Sequence, residues 1–569
     1  MLRCFREHDF RPVADLRGLW DFAFLGDVHP DNVDVRTIDF DDRMAVPGCF
    51  DATPAYAGNR GLVAYRIQAP MFNMDAHRIL FDGVHHWCRV FVDGRPLGDH
   101  AAGFTRFAVD FEKTGGDEAE IVVLVDNRFD YDRNPLHRDY FDWYHYGGIA
   151  RGVELHGLAD VWIDGIDVVT EDLDTRRLSL TVAYGTRKKP QDVPLVVSFD
   201  GKVLVDETVR LDGERGQISR SFDVPGAALW SPEKPNLHLI HARLGEDDLR
   251  ERIGIRTVRT EGKRILLNDK PIRLIGVNRH ESHVEIGHGL PDALLVADAQ
   301  LVRDLGCNFV RGSHYPQDVR WLDLCDEMGI LVWSEVLGWQ HTAEHLNDSA
   351  FMAAQMTNLE EMVAVARTHP SVILYGILNE SHSHDPKCRP GYEALLKRLK
   401  ELDPTRLTTY ASTFPKEDVC FDLVDVIAFN LYPGWYHHEV AEIPTALDEV
   451  AHAIDAKGFK DKAMMIGEIG AGAVWGWRDW HAKHWSEQYQ AEVLDRAVRH
   501  LLVDSDRWCG LAIWQFCDIR SSEALVMALR RPRSFNNKGL VDEYRRPKMA
   551  YDVVKRHFHA ARKLDEKTG

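Results

Sequence analysis

Over its first 260 residues the chain alternates apolar and polar positions with a period of two. In "CRVFVDGRPLG" the residues Cys88, Val90 and Val92 share one face, and the run turns at Asp93-Gly94, a pair suited to two-residue hairpin loops. "PLVVSFDGKVLVDETV" repeats the device at Asp200-Gly201, and "EIVVLVD" (120–126) and "LSLTVAY" (178–184) read as further short strands. Helical spacing is nearly absent here. One or two sandwiches of short strands follow, divided near Leu158–Trp162 into segments 1–159 and 160–259.

After "EGKRILLNDKPIRLIGVN" the pattern changes to apolar runs alternating with amphipathic helices. Trp321, Leu324, Cys325 and Met328 fall at i, i+3, i+4 and i+7, with Gly329 as a stop; Leu359, Met362, Val363 and Ala366 repeat the spacing. Gly306 closes the helix that holds Leu301 and Leu305. The buried runs are "IRLIGVN", "CNFVRGS", "GILVWSE", "VILYGILNE", "RLTTYAS", "DVIAFNLY", "AMMIGEIG" and "LAIWQFCD". Eight strand–helix units over 260–569 predict a closed (β/α)8 barrel. An open doubly wound sheet fits less well, because no glycine-rich phosphate loop follows the first strand.

In such a barrel the chemistry sits at the C-terminal ends of the strands. Those ends carry Asn278-Arg279-His280-Glu281, Arg311 with Ser313-His314-Tyr315, Glu335, Asn379-Glu380, Asn430 and Tyr432, Glu468, and Trp514 with Asp518. One glutamate there, such as Glu380 closing "VILYGILNE", could simply cap the next helix. Two, Glu380 and Glu468 on the fourth and seventh strands and ringed by aromatic residues, suit hydrolysis of a sugar acetal. About 5–5.5 Å between them lets one attack the anomeric carbon while the other protonates the leaving oxygen, whereas a wider gap admits water and inverts. A proton donor at Glu380 should be kept protonated near neutrality by an apolar wall and by the nearby Glu468 charge. Trp435, Tyr436 and Trp514 are candidate stacking faces for the ring.

Composition narrows the partners. The hydrophobic fraction of 45% and charged fraction of 28% are those of a globular protein, and the net charge of −20 argues against nucleic acid or an anionic membrane. The first twenty residues contain no apolar core of a signal peptide and no run spans a bilayer, so a cytoplasmic protein is expected. Nine scattered cysteines without a C-x-x-C pair read as reduced, buried thiols rather than a zinc site. His382 and His384, like His85-His86 and His437-His438, read as solvated loop residues, and no metal or other cofactor is expected. The acidic "GEDDLRERIG" (245–254) reads as a surface turn.

Several stretches together resemble glycoside hydrolase family 2, which includes β-galactosidases, β-glucuronidases and β-mannosidases. They are "GLWDF" (18–22), "DYFDWYHYGGIARGVEL" (139–155), "IGVNRHESH" (275–283), "NFVRGSHYPQDVRWLDLCDEMGILVWSEV" (308–336), "LNE" (378–380), "FNLYPGWY" (429–436) and "NNKGLVDEYRRPK" (536–548). The resemblance implies a jelly-roll-like sugar-binding domain (1–159), an immunoglobulin-like sandwich (160–259), a catalytic barrel (260–569) and, as in many members, a homo-oligomer. It implies Glu380 as general acid/base and Glu468 as nucleophile of a retaining double displacement. Asn379 matches the amide that binds the sugar 2-hydroxyl, and the Asn430–Tyr432 stretch a motif whose tyrosine touches the nucleophile. His280, Arg311 and His314 match residues around the pocket, and Asp142 an acid that reaches in from the first domain.

Asn536 and Lys538 fit the Asn-x-Lys pattern by which β-glucuronidases hold a uronic acid carboxylate. An ammonium and an amide form charge-assisted bonds to –COO⁻ that a neutral –CH2OH cannot match. The expected substrate is therefore a small or oligosaccharide β-glycoside ending in glucuronate or a related uronate. A β-galactoside is the alternative, because Asn-x-Lys-Gly-Leu also occurs in members acting on neutral sugars. A catalytically dead carbohydrate-binding protein would have lost one carboxylate, and both are present.

Overall fold

The computed structural model describes residues 5–113, 115–136, 138, 141–188, 191–522 and 529–568, with no side-chain detail at 566–568. Two antiparallel sheets form the first sandwich. The six-stranded one runs Asp42–Val46, Gly18–Gly26, Leu62–Pro70, Glu118–Asp126, Trp87–Val92, Arg95–Ala101, and faces a four-stranded one containing Ala76–Phe81 and Val153–Leu158. Its hairpin at Asp93-Gly94 has both residues at positive φ, 49° and 70°, the twist a two-residue loop needs. A three-stranded and a four-stranded sheet between Val161 and Ile253 form the second sandwich, with the same device at Asp200-Gly201.

The remainder closes into a barrel of eight parallel strands, as the apolar runs led one to expect. They are β1 (Leu274–Arg279), β2 (Phe309–Gly312), β3 (Leu331–Glu335), β4 (Val372–Ile377), β5 (Leu407–Ser412), β6 (Val426–Asn430), β7 (Ala463–Ile469) and β8 (Gly510–Ile513). Every residue of these strands is buried, which is why they read as continuous apolar runs rather than alternating ones. The lower interior is filled by Leu274, Phe309, Leu331, Trp333, Leu374, Val426 and Met465. Trp230 of the second sandwich and Ile265 and Leu267 of a small sheet over 258–272 join the same cluster.

The first sandwich is fastened to the barrel rim. Phe104 stacks on Tyr315 with ring centres 3.9 Å apart, and Arg151 donates to the carbonyls of Phe104 and Pro316. The chain after Phe141 then lies against the top of the barrel, where Tyr144 N donates to Arg520 O at 2.9 Å. That attachment brings Asp142 and Trp143 to the barrel opening.

Two expectations are corrected. Within the acidic run only Gly245–Glu246 is a turn, with Glu246 exposed; Asp247–Ile253 is a strand, and Asp247 and Asp248 are buried. Asp247 takes Arg11, while Asp248 accepts the backbone N–H groups of Asp9, Phe10 and Arg11, so the N-terminal segment consumes both. His85 and His86 are not solvated: both are fully buried, packed among Phe104, Phe129, His145 and His288. The eight described cysteines are free and buried; Cys4 lies outside the described residues.

Candidate active site

A cavity of about 1120 Å³ opens at the C-terminal end of the barrel. Glu380 and Glu468 both line it, together with Asp142, His314, Asn379, Asn430, Tyr432, Trp435, Tyr436, Trp514 and Lys538. Glu380 caps no helix: the next one, Arg389–Leu402, begins nine residues later behind Cys388. Its backbone sits at φ 51° and its N–H donates to Ala411 O of β5 at 2.8 Å. A bulky residue held in that sparsely populated conformation by the adjoining strand end points to a fixed orientation.

Arg311 organises the floor. Its Nε and one NH2 proton take both oxygens of Glu335 at 3.0 Å, the other NH2 proton goes to Asn379 Oδ1 at 2.8 Å, and NH1 reaches Glu468 Oε1 at 3.0 Å and Asn278 Oδ1 at 3.2 Å. Trp333 lies under the guanidinium, 4.4 Å from ring centre to Cζ. That ring fits because position 376 in β4 is glycine; a Cβ there would stand 2.0 Å from Trp333 Nε1.

The two carboxylates are differently dressed. Glu468 is 3% exposed and accepts from Tyr432 Oη at 2.5 Å as well as from Arg311. Glu380 accepts from two neutral amides, Asn430 Nδ2 at 2.9 Å and Gln340 Nε2 at 3.2 Å. Asn430 Nδ2 also donates to Asn379 Oδ1, so the two sites join one network. Burial, and then the Glu380 charge, push the Glu468 carboxyl up to about 8, against the pull of Arg311 and Tyr432.

One wall of the cavity is cationic. Lys538, 2% exposed, donates from Nζ to Tyr436 Oη at 3.0 Å and lies over the rings of Tyr432, Trp435 and Tyr436. Arg531 donates to Asp142 Oδ2 at 2.5 Å, and Asn536 Nδ2 donates to the same oxygen at 3.0 Å. Burial and then the Arg531 charge lower the Lys538 ammonium. Burial alone would raise the Tyr436 phenol, but Lys538 and Arg531 bring it below its usual range. Two cations and one carboxylate thus share this end, leaving a positive excess.

Three expected residues do not line the cavity. Arg311 lies beneath its floor, and Asn536 stands behind Asp142. His280 is buried a layer lower, with Nδ1 3.3 Å from Tyr315 Oη and its ring against Trp143 and Trp514. Trp514 stacks on His314 with ring centres 5.2 Å apart and planes at 11°. The lining also holds residues that sequence reasoning missed: Trp143, Trp339, Gln340 and Arg531. Trp143 adjoins Asp142, so its neighbour was a signal. Arg531 lies in "ALRRPRS", which reads as any basic surface loop. His437 and His438 are exposed, and His384 packs on Phe414 at 3.9 Å between ring centres.

Comparison with known proteins agrees with this geometry. Residues 258–562 match the model of the glycosyl hydrolases family 2 TIM barrel domain, and residues 161–256 match a second glycosyl hydrolases family 2 model. The β-glucuronidase of Streptococcus agalactiae serotype V is 28% identical, over 96% of this chain and 97% of its own. That of Rattus norvegicus is 27% identical, over 90% and 84%. A solved β-galacturonidase from Eisenbergiella tayi, bound to galacturonate, is 35% identical and superposes with a TM-score of 0.92 over 98% of this chain and 99% of its own. The chain belongs to glycoside hydrolase family 2 and is a glycosidase most like the β-glucuronidases of that family.

Proposed function

We propose that the protein is an exo-acting, retaining β-glycosidase that removes terminal β-linked hexuronates. The observation that carries the uronate is the pairing of Lys538 and Arg531 around Tyr436 in the cavity that also holds Glu380 and Glu468. A sugar with –COO⁻ at C6 meets two buried cations there. Asp142 answers Arg531, so a neutral sugar would leave one buried positive charge of this wall without an anion.

The chemistry follows from the dressing of the two carboxylates. Glu468, turned toward the cavity by Tyr432 and Arg311, attacks the anomeric carbon. Glu380 gives its proton to the departing oxygen, and a glycosyl ester forms on Glu468. The Glu468 charge is gone in that ester, so Glu380 becomes the base that activates water for the second displacement. Asn379 offers its amide N–H to the sugar 2-hydroxyl oxygen and so orients that hydroxyl beside the reacting carbon. Trp514 and Trp435 supply apolar faces.

Which C4 epimer is preferred has a second reading. The curated relatives above are β-glucuronidases, whereas the Eisenbergiella tayi structure holds galacturonate at a higher identity. That likeness favours β-galacturonide as an equal or better substrate. The deciding experiment compares kcat/KM on nitrophenyl β-D-glucuronide, β-D-galacturonide and β-D-galactoside. The uronide reading expects both uronides to exceed the galactoside by tenfold or more. A galactoside equal to the better uronide would sink it.

A further inference from the structure

Gln340 lies beyond the end of β3, on a strip of chain that runs beside the one carrying Glu380. Hydrogen bonds join the two strips along their length. Asn379 N donates to Gly338 O at 3.2 Å, Gln340 N to Asn379 O at 2.9 Å, His341 N to Ser381 Oγ at 3.0 Å and His382 N to His341 O at 2.9 Å. From the first sandwich, Arg138 NH1 donates to the carbonyls of Trp339 and Gln340 at 3.0 and 2.8 Å. Gln340 itself sits at φ 54°, a conformation uncommon outside glycine. Its backbone is thus fixed on both sides, while its side chain stands in the cavity wall.

The Glu380 carboxyl takes one amide on each oxygen. Asn430 Nδ2 is 2.9 Å from Oε1 and gives its other proton to Asn379 Oδ1. Gln340 Nε2 is 3.2 Å from Oε2, and among the described residues no other donor meets that oxygen. An N–H bond to an ionised carboxylate is roughly twice as strong as one to a neutral acceptor. The Gln340 bond therefore tightens as a proton leaves Glu380 and loosens as one returns.

We propose that Gln340 is a positioning residue for the first displacement alone: it keeps an N–H aimed at Glu380 Oε2, where negative charge appears as the proton passes to the departing oxygen. The proposal rests on Glu380 as proton donor, the reading given under Proposed function. In that step the O–H bond of Glu380 breaks and an O–H bond forms on the leaving oxygen. The electron pair of the broken bond stays on the carboxylate that Gln340 faces. In the second displacement the carboxylate starts charged and takes a proton from water. There the same N–H stabilises the start of the step, not its end. Removing it slows proton donation without slowing proton removal.

The test uses phenyl and 2,4-dinitrophenyl β-glycosides of the sugar the wild type cleaves best. Dinitrophenolate departs without a proton, whereas phenolate needs one. Gln340→Met, similar in length but lacking the donor, is expected to lower kcat/KM on the phenyl glycoside about tenfold. On the dinitrophenyl glycoside the loss should be no more than about twofold, and kcat, limited there by attack of water on the ester, should not fall. Gln340→Asn tolerates positive φ but is too short to reach Oε2, so it should give the same pattern; it serves should the Met variant fail to melt cooperatively. The inhibition constant of the phenyl 1-thio-β-glycoside should be unchanged. Equal losses on the two glycosides, or a dinitrophenyl kcat lowered as far as the phenyl kcat/KM, would mean that Gln340 merely shapes the site. An inhibition constant raised as far as kcat/KM is lowered would assign Gln340 to binding the aglycone. Either result overturns the proposal. Wild type inert toward every aryl β-glycoside would overturn the functional reading, and this proposal with it.

Discussion

Arg311 NH1 stands 3.0 Å from Glu468 Oε1 while the rest of the same guanidinium is bound to Glu335 and Asn379. One cation thus serves two buried carboxylates, and Glu468 keeps a strong affinity for a proton. Arg311→Lys retains the charge, but an ammonium cannot match the fork on Glu335 and reach Glu468 as well. The Glu468 carboxyl should rise further, moving the acid limb of the pH profile of kcat/KM to higher pH. A falling acid limb, or none, would contradict this.

The same displacement has a stability consequence. Glu468 is pushed up to about 8 in the folded protein by burial and by Glu380, against 4.5 unfolded. A carboxyl whose folded value is raised costs nothing below the unfolded value, and the cost grows as pH climbs from 4.5 toward 8. Glu468→Gln should therefore be inactive yet raise Tm near pH 7, with an upper bound of about 3 kcal/mol. The gain should shrink toward zero at pH 4.5, as read by calorimetric melts across pH.

Two buried histidines act in the opposite direction. Burial first, then Arg11 for His8 and Arg151 for His288, lower both to about 4 from 6.5. Between those values the unfolded chain binds protons that the folded one does not, so stability is full above 6.5 and is lost as pH falls below it. Each contributes at most about 2 kcal/mol of loss at pH 5. His288→Gln should flatten the acid side of the Tm profile; an unchanged profile would show that other groups set it.

Lys538→Met tests the cationic wall. A charge-assisted bond to a carboxylate is worth about 1.5–3 kcal/mol, so uronide kcat/KM should fall tenfold or more. Any galactoside activity should be nearly unchanged. Equal losses on both sugars would make the lysine a structural prop for Tyr436.

The sequence by itself determined the layout. Burial on both faces forces the barrel strands into continuous apolar runs, and a polar residue that ends such a run points to the barrel rim; hence Glu380, Glu468, Asn379 and Asn430 were legible, while Lys538 was legible only through the family's Asn-x-Lys pattern. The hairpins at Asp93-Gly94 and Asp200-Gly201 were legible because positive φ at both turn positions restricts the residues that fit. Only the tertiary structure decided what depends on side chains distant in the chain. The buried Asp247 and Asp248 looked like a solvated turn until the N-terminal segment supplied their partners. Arg531 looked like surface charge until Asp142, 389 positions away, met it in the cavity wall. His280 carried the same polar signature as its neighbours, yet its ring packs beneath Trp514. Local pattern fixes the environment of a backbone; the direction of a hydrogen bond, and the proton a carboxylate keeps, are set by which remote groups arrive beside it.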